Sequence, residues 1–459
     1  MTLSIPRQEI NAALREGAPE LACQALDTYL RKLDQVSRAW FADSSPGDIL
    51  NEEWRPVTKV DNLEVRDNTL SMRCQAGDRT VDLHLALPAT GGIRLFSNVE
   101  GYFKPPDLLP LMATQFQSSC VLTTDDGKIV INRNPFSISF YNTVGRKVTE
   151  IGTNCLSFRF DAKGNVLATD FTNQLDATEA IYGFGERYDR FNQHGNVLTL
   201  WAMDEWITLG SGFRNVTYKC LPVFHSSKGY MVFDNSSYRV RADIGVTDRD
   251  KYRLTQHGPI FDYYFWIGSP EKALQSYTAL TGRPILPPKW AFRPWIGRGE
   301  GAWLAGPSRN AVAEQESVVQ QWETLGIPHS AIYSEGPSVD SPALNDFMRR
   351  RGIKVLGYFW PEVSSARQQS FLPKLKPNDL PILHCEDENA TRELSYVDFT
   401  NPNARELVRQ WWKRDLDLGV AGSMVDYGDL VPEGAVFHNG KSCQRSRAGH
   451  AKMSCSICR

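Results

Sequence analysis

The chain changes its pattern sharply at Arg283-Pro284-Ile285-Leu286-Pro287-Pro288. From about residue 48 to 278, short β-branched and aromatic runs such as Thr80-Val81-Asp82-Leu83-His84-Leu85 and Phe136-Ser137-Ile138-Ser139-Phe140 alternate apolar with polar residues between turn residues. Successive side chains of a strand point to opposite faces, so a period of two means half-buried strands, and many in succession predict an antiparallel β-sandwich. Beyond the break, strand-like and helix-like runs alternate, which is the pattern of parallel βα units. Strand one is expected at Trp290 to Ile296, strand two at His329 to Ser334, strand three at Ile353 to Phe359 and strand four at Val420 to Val425. Helices are expected at Val312 to Leu325, at Leu344 to Arg351 and, after a long loop, from Asn401-Pro402. Proline suits a first helical turn, and Leu407, Val408, Trp411 and Trp412 then form one apolar face.

Four segments follow: a helical leader over 1–45, in which Ala22, Leu26, Leu30 and Leu33 fall at helical spacing; the sandwich over 46–280; the βα segment over 281–442; and an off-pattern tail over 443–459. The 51 basic and 53 acidic residues nearly cancel, so the basic stripe expected of a nucleic-acid binder is missing. A neutral or small polar ligand fits better, and 12 Trp allow rings to line a pocket as well as a core. No apolar run approaches the ~20 residues that cross a bilayer, and MTLSIPRQEI lacks the basic-then-apolar order of a signal peptide, so no membrane partner is expected and the location is expected to be cytoplasmic. In that compartment Asn215, Asn235 and Asn389 are chance glycosylation triplets, and Cys23 to Cys385 are scattered free thiols.

In a βα barrel the chemistry sits at the C-terminal ends of the strands. Strand one ends in Trp295 and Arg298, strand two in Tyr333 and Glu335, strand three in Trp360 and Glu362, strand four in Asp426 and Asp429. Carboxylates and flat aromatic rings on one rim are what glycoside hydrolysis needs. Taken singly, a rim carboxylate is more often a solvated charge or helix cap, and a rim aromatic more often packing. Asp426 stands apart because Val420-Ala421-Gly422-Ser423-Met424-Val425 reads as a small-residue buried strand that delivers a carboxylate into the barrel mouth.

Several motifs then occur in a recognisable order: Tyr182-Gly183-Phe184-Gly185-Glu186-Arg187-Tyr188, Leu286-Pro287-Pro288-Lys289-Trp290-Ala291, Asp398-Phe399-Thr400-Asn401-Pro402, and Gly419-Val420 through Val425-Asp426-Tyr427-Gly428-Asp429. Through them the stretch from about Tyr182 to Ser442 resembles glycoside hydrolase family 31, the α-glucosidase and α-xylosidase group. The resemblance implies a galactose-mutarotase-like N-terminal β-sandwich followed by a (β/α)8 TIM barrel, of which about four βα units are present. It also implies a carbohydrate substrate, no cofactor or metal, and a retaining double displacement with Asp426 as nucleophile, Asp429 as supporting carboxylate, and Trp295, Arg298, Tyr333, Glu335 and Trp360 around the sugar. Two positions depart from the family. Ser334-Glu335 replaces an Asp that holds the sugar, and Ser330 replaces another Asp, so glucosides, xylosides, galactosides and acidic sugars all remain open.

The family's general acid comes from a later strand, and the residues after Ser442, CQRSRAGHAKMSCSICR, contain no acidic residue and no strand pattern. This chain is accordingly expected to be truncated or frameshifted after the nucleophile strand, to lack the general acid and to be inactive. A small metal site formed by Cys443, His450, Cys455 and Cys458 is the other account of the tail. Two further functions stay open: a carbohydrate-binding scaffold without hydrolysis, and a lyase or transglycosidase on the same framework.

Overall fold

The computed structural model describes residues 53–97, 101, 103–187, 189–200, 217, 219–298, 311–334, 341–359, 382–385, 394–425 and 437–439, with eight scattered residues between 12 and 24. The leader pattern Ala22 to Leu33 and the whole tail from Cys443 lie outside these residues, apart from isolated positions. Described residues up to Ala273 form one unit and those from Leu274 onward a second.

The first unit is built of antiparallel strands in a 13-stranded sheet and a five-stranded sheet. The 12-residue strand Arg55–Arg66 is the hinge of the larger sheet. Its start pairs with Leu156–Phe160 and its remainder with Thr69–Ala76, and the register shifts between Val57 and Lys59 and again between Val60 and Asn62. Bulges of this kind bend a strand and increase its twist. The bend brings distant strands face to face. Phe171, on Val166–Gln174, and Phe265, on Asp262–Ile267, are separated by five strands along the sheet, yet their ring centroids lie 5.9 Å apart, edge to face. Phe171 also lies 4.9 Å from Tyr263, while Phe140 of the five-stranded sheet stacks on Phe265 at 4.8 Å. All four rings are fully buried. The antiparallel sandwich expected from the period of two is therefore present, closed by a shared aromatic core.

The Gly-rich motif at Tyr182 is explained by close approach. Gly183, Phe184 and Gly185 have φ of 136°, 64° and 87°, all in left-handed territory. A Cβ on Gly185 would sit 1.9 Å from the Lys219 carbonyl oxygen, so only glycine fits. The turn swings Phe184 inward to stack on Phe224 at 5.0 Å.

The second unit contains a four-stranded parallel sheet in the order Trp295–Arg298, Ala331–Ser334, Lys354–Phe359 and Val420–Val425. Helices Ala311–Thr324, Pro342–Arg350 and Pro402–Asp417 alternate with the strands. Ser341 caps the second of these by accepting from Leu344 N, and Asn401 caps the third by accepting from Asn403 N, with proline in the first turn of each. Strand one begins later than the sequence pattern predicts. Lys289–Phe292 is a 3-10 turn, Arg293 N donates to Trp290 O, and Pro294 has no N–H for a ladder, so pairing starts at Trp295. The long loop before the last helix contains an antiparallel pair, Ile382–Cys385 with Leu394–Val397, that the sequence pattern did not suggest.

Removing the ring that joins the layers, Phe171→Ala, is expected to cost about 3–5 kcal/mol. Gly185→Ala is expected to destabilise as well, through overlap with Lys219 O. Urea unfolding followed by tryptophan fluorescence measures both, and a midpoint unchanged in Phe171→Ala contradicts the closure described.

Candidate active site

The parallel sheet has two chemically different faces. Ile296, Ile332, Val355 and Val420, one from each strand, are almost fully buried in one cluster with Val319, Leu344, Phe347 and Met348 of the flanking helices. Phe359 and Val425 pack with Ala404, Val408 and Trp412 of Pro402–Asp417. The helices thus lie against one face. Alternation assigns Trp295, Gly297, Tyr333, Leu356 and Tyr358 to the other; on strand four a register shift between Val420 and Gly422 breaks the alternation, so Gly422 and Met424, paired with Leu356 and Tyr358, join that face and Val425 returns to the helix side.

Glycine keeps that second face shallow at strand one, where a Cβ on Gly297 would come only within 3.9 Å of the Tyr333 ring. On strand four a Cβ on Gly422 would approach Leu356 Cδ2 to 3.3 Å. Between them the Tyr333 and Tyr358 rings lie 6.2 Å apart at 47°. Trp295 is 45 % exposed and tilts against Trp290 at 6.1 Å. Of the residues singled out in the sequence, Trp295 and Tyr333 lie on one face, but Trp295 opens strand one opposite Ala331 instead of ending it as expected, because pairing starts only after Pro294; Arg298 is the residue at the C-terminal end, its backbone paired to Ser334. Glu335, Trp360, Glu362, Asp426 and Asp429 lie outside the described residues. Tyr358 was missed, although its place two before Trp360 in a β-rich run was the available signal. Ser330 ties the N-terminal side of the sheet, its hydroxyl donating to Trp290 O at 2.7 Å.

Asp398 was quoted only as part of a motif, and the structure shows its work. The side chain is 4 % exposed and fully engaged. Oδ1 accepts from Thr400 N at 2.9 Å and from the Thr400 hydroxyl at 2.8 Å, while Oδ2 accepts from His438 N at 2.7 Å. Thr400 Oγ1 in turn accepts from Asn439 N at 3.2 Å. The chain that leaves strand four is therefore anchored again at His438, beside the start of the helix Pro402–Asp417.

In the sandwich, Asn235 is 1 % exposed, and its amide nitrogen donates to Phe103 O and Asp262 Oδ2. It is thus engaged in the core, whereas Asn215 and Asn389 lie outside the described residues. Cys74, Cys120 and Cys155 are buried free thiols, and burial pushes the Cys74 thiol up to about 12. Among the described residues no helix is long and apolar enough to cross a membrane.

Residues 98–243 match the model of the glycosyl hydrolase 31 N-terminal galactose mutarotase-like domain. The chain is 28% identical over 368 residues to the α-xylosidase XylQ of Lactiplantibacillus pentosus, covering 75% of this chain and 46% of that protein. It is 24% identical over 366 residues to α-glucosidase 2 of Bacillus thermoamyloliquefaciens, covering 74% and 44%. In fold it matches the dextranase of Flavobacterium johnsoniae in complex with glucose, with a TM-score of 0.75, 18% identity, and coverage of 88% of this chain and 52% of that one. The chain thus carries a match to a glycosyl hydrolase 31 N-terminal domain, and over most of its length it is similar to proteins named α-xylosidase and α-glucosidase. It spans about half the length of the curated relatives it matches.

The two faces make opposite predictions. Val420→Asp places a charge in the helix-side cluster and is expected to unfold the second unit, costing several kcal/mol. Met424→Asp, at a position 48 % exposed, is expected to change stability by less than about 1 kcal/mol. Far-UV circular dichroism in urea distinguishes them, and equal sensitivity of the two positions refutes the face assignment.

Proposed function

We propose that this chain carries the nucleophile side of a retaining α-glycoside hydrolase site, and that its four parallel strands are the first half of a (β/α)8 barrel. The observation that carries this is the aromatic face of the parallel sheet. The Tyr333 and Tyr358 rings lie 6.2 Å apart on the side away from the helices, where flat apolar surfaces can bound a sugar, and the family resemblance implies Asp426, the residue that follows strand four, as the nucleophile. Relatives named α-xylosidase and α-glucosidase agree with such a substrate.

The chemistry is a double displacement. An Asp426 oxygen attacks the anomeric carbon, the C–O bond to the leaving group breaks, and water later cleaves the glycosyl ester with net retention. Asp429 supports the nucleophile. Arg298, Tyr333, Glu335 and Trp360 contact the sugar. Within these 459 residues we assign no general acid, so an alkoxide departs without a proton, which costs ~10²–10⁴ in rate. Negligible turnover by these residues alone is the expectation.

The test uses two substrates. An alkyl α-xyloside or α-glucoside, whose leaving group requires the proton, is expected to remain intact. A glycosyl fluoride, whose leaving group does not, is expected to esterify Asp426 slowly and to leave Asp426→Asn unlabelled by intact-mass spectrometry. Fast alkyl glycoside hydrolysis abolished by Asp426→Asn overturns the missing-acid reading, and labelling that survives Asp426→Asn overturns the nucleophile.

A second reading, a carbohydrate-binding scaffold without hydrolysis, is favoured by an open groove of about 1070 Å³ on the sandwich, lined by Asn154, Thr172, Gln174, Arg249 and Lys251 among others. Retardation of the chain in oligosaccharide-containing gels, unchanged by Asp426→Asn and lost in Gln174→Ala, supports it.

A further inference from the structure

A polar seam crosses the apolar interior of the sandwich. Asp262, fully buried, receives Arg94 in a two-pronged ion pair, Nε to Oδ1 at 2.9 Å and Nη2 to Oδ2 at 2.7 Å. The same Oδ2 accepts from Gly101 N at 2.8 Å and Asn235 Nδ2 at 2.9 Å, and Asn235 Oδ1 accepts from Phe103 N at 2.8 Å. Gly101 lies so close over this cluster that a Cβ there would stand 1.9 Å from the Asn235 carbonyl oxygen and 2.7 Å from Asp262 Oδ2.

Next to this pair sits a second carboxyl group with no counter-charge. Asp234 is 2 % exposed, and among the described residues no cation pairs with it. Its hydrogen-bond partners are all neutral: Gln256 Nε2 lies 3.3 Å from each oxygen, the Tyr263 hydroxyl lies 3.5 Å away, and the Ser236 hydroxyl, which also accepts from Gln256 Nε2 at 2.6 Å, bonds to it as well. The titratable groups that act on it come from the strand Asp262–Ile267, namely Asp262 and Tyr263. Arg94 on Ile93–Ser97 is already committed to Asp262, and the strands Lys251–Gln256 and Val166–Gln174 present Gln256 and Thr169, neither of which titrates. Gln256 Oε1 and Thr169 Oγ1 are buried without a hydrogen-bond partner. The seam thus holds two carboxyl groups, one guanidinium and spare oxygen acceptors. A carboxyl group buried this deeply without a counter-charge, beside a second carboxylate, favours its neutral form.

We propose that Asp234 is a proton-operated latch of the sandwich: as a neutral acid it keeps the seam closed beneath Gly101 and Phe103, and losing its proton to solvent loosens their hold. Burial, and secondarily the Asp262 charge, raise its pKa from 3.8 to about 7. A folded-state value above the unfolded one means that the stabilisation is complete below about pH 4 and is lost as pH rises through about 7, where it levels off.

The test is amide hydrogen exchange of Gly101 and Phe103 in the full chain at pH 5, 6, 7 and 8, corrected for intrinsic rates. Opening is expected to increase about tenfold per pH unit up to about 7 and then to plateau, and Asp234→Asn is expected to flatten the profile. A flat wild-type profile, or a slope that survives Asp234→Asn, overturns the latch. Should Asp234→Asn fail to fold, infrared difference spectra of the wild type decide the matter. A protonated-carboxyl band lost between pH 6 and 8 supports the latch, and its absence overturns it.

Discussion

The contact between Phe171 and Phe265 is the point on which the sandwich depends. A sheet of 13 strands left open would expose one apolar face and two edges. Because Arg55–Arg66 is bulged twice, the sheet turns over itself, and strands far apart in its order supply opposite walls of one core. Phe140 brings the five-stranded sheet to the same place. The polar seam of Arg94, Asp262, Asn235 and Asp234 lies within this doubled layer, where isolation from water makes each ion pair and each unpaired oxygen consequential.

The parallel sheet works on the opposite principle. Its helices cover one face only, and the buried valines and isoleucines on that side orient every other residue toward the far side. Orientation is thereby set by packing remote from the chemistry.

Much of this was legible in the sequence, for identifiable reasons. Strand four occurs at Val420–Val425 as expected, because a small-residue run bounded by Gly419 admits little else. The capped helix from Pro402 was equally plain. Strand one was misjudged because Trp290-Ala291-Phe292 alternates like a strand, while the prolines at 288 and 294 impose a turn that periodicity does not register. The pair Ile382–Cys385 with Leu394–Val397 was hidden by its brevity, four residues a side. Tyr333 stands near the C-terminal end of its strand as the pattern predicts, whereas Trp295 opens strand one instead of ending it; Asp398 was not singled out, since its partner lies 40 residues away and no local pattern announces a bond between a side chain and a distant amide.

That distant bond has an evolutionary corollary. Val425 is fastened by the sheet and His438 by Asp398, so the two ends of the intervening stretch are pinned independently of its content. For a segment tethered at both ends, doubling its length costs only about 0.6 kcal/mol in closure entropy. Insertions between Asp429 and His438 are therefore expected to cost the scaffold little, while Asp426 and Asp429 themselves stay fixed by their proposed chemistry.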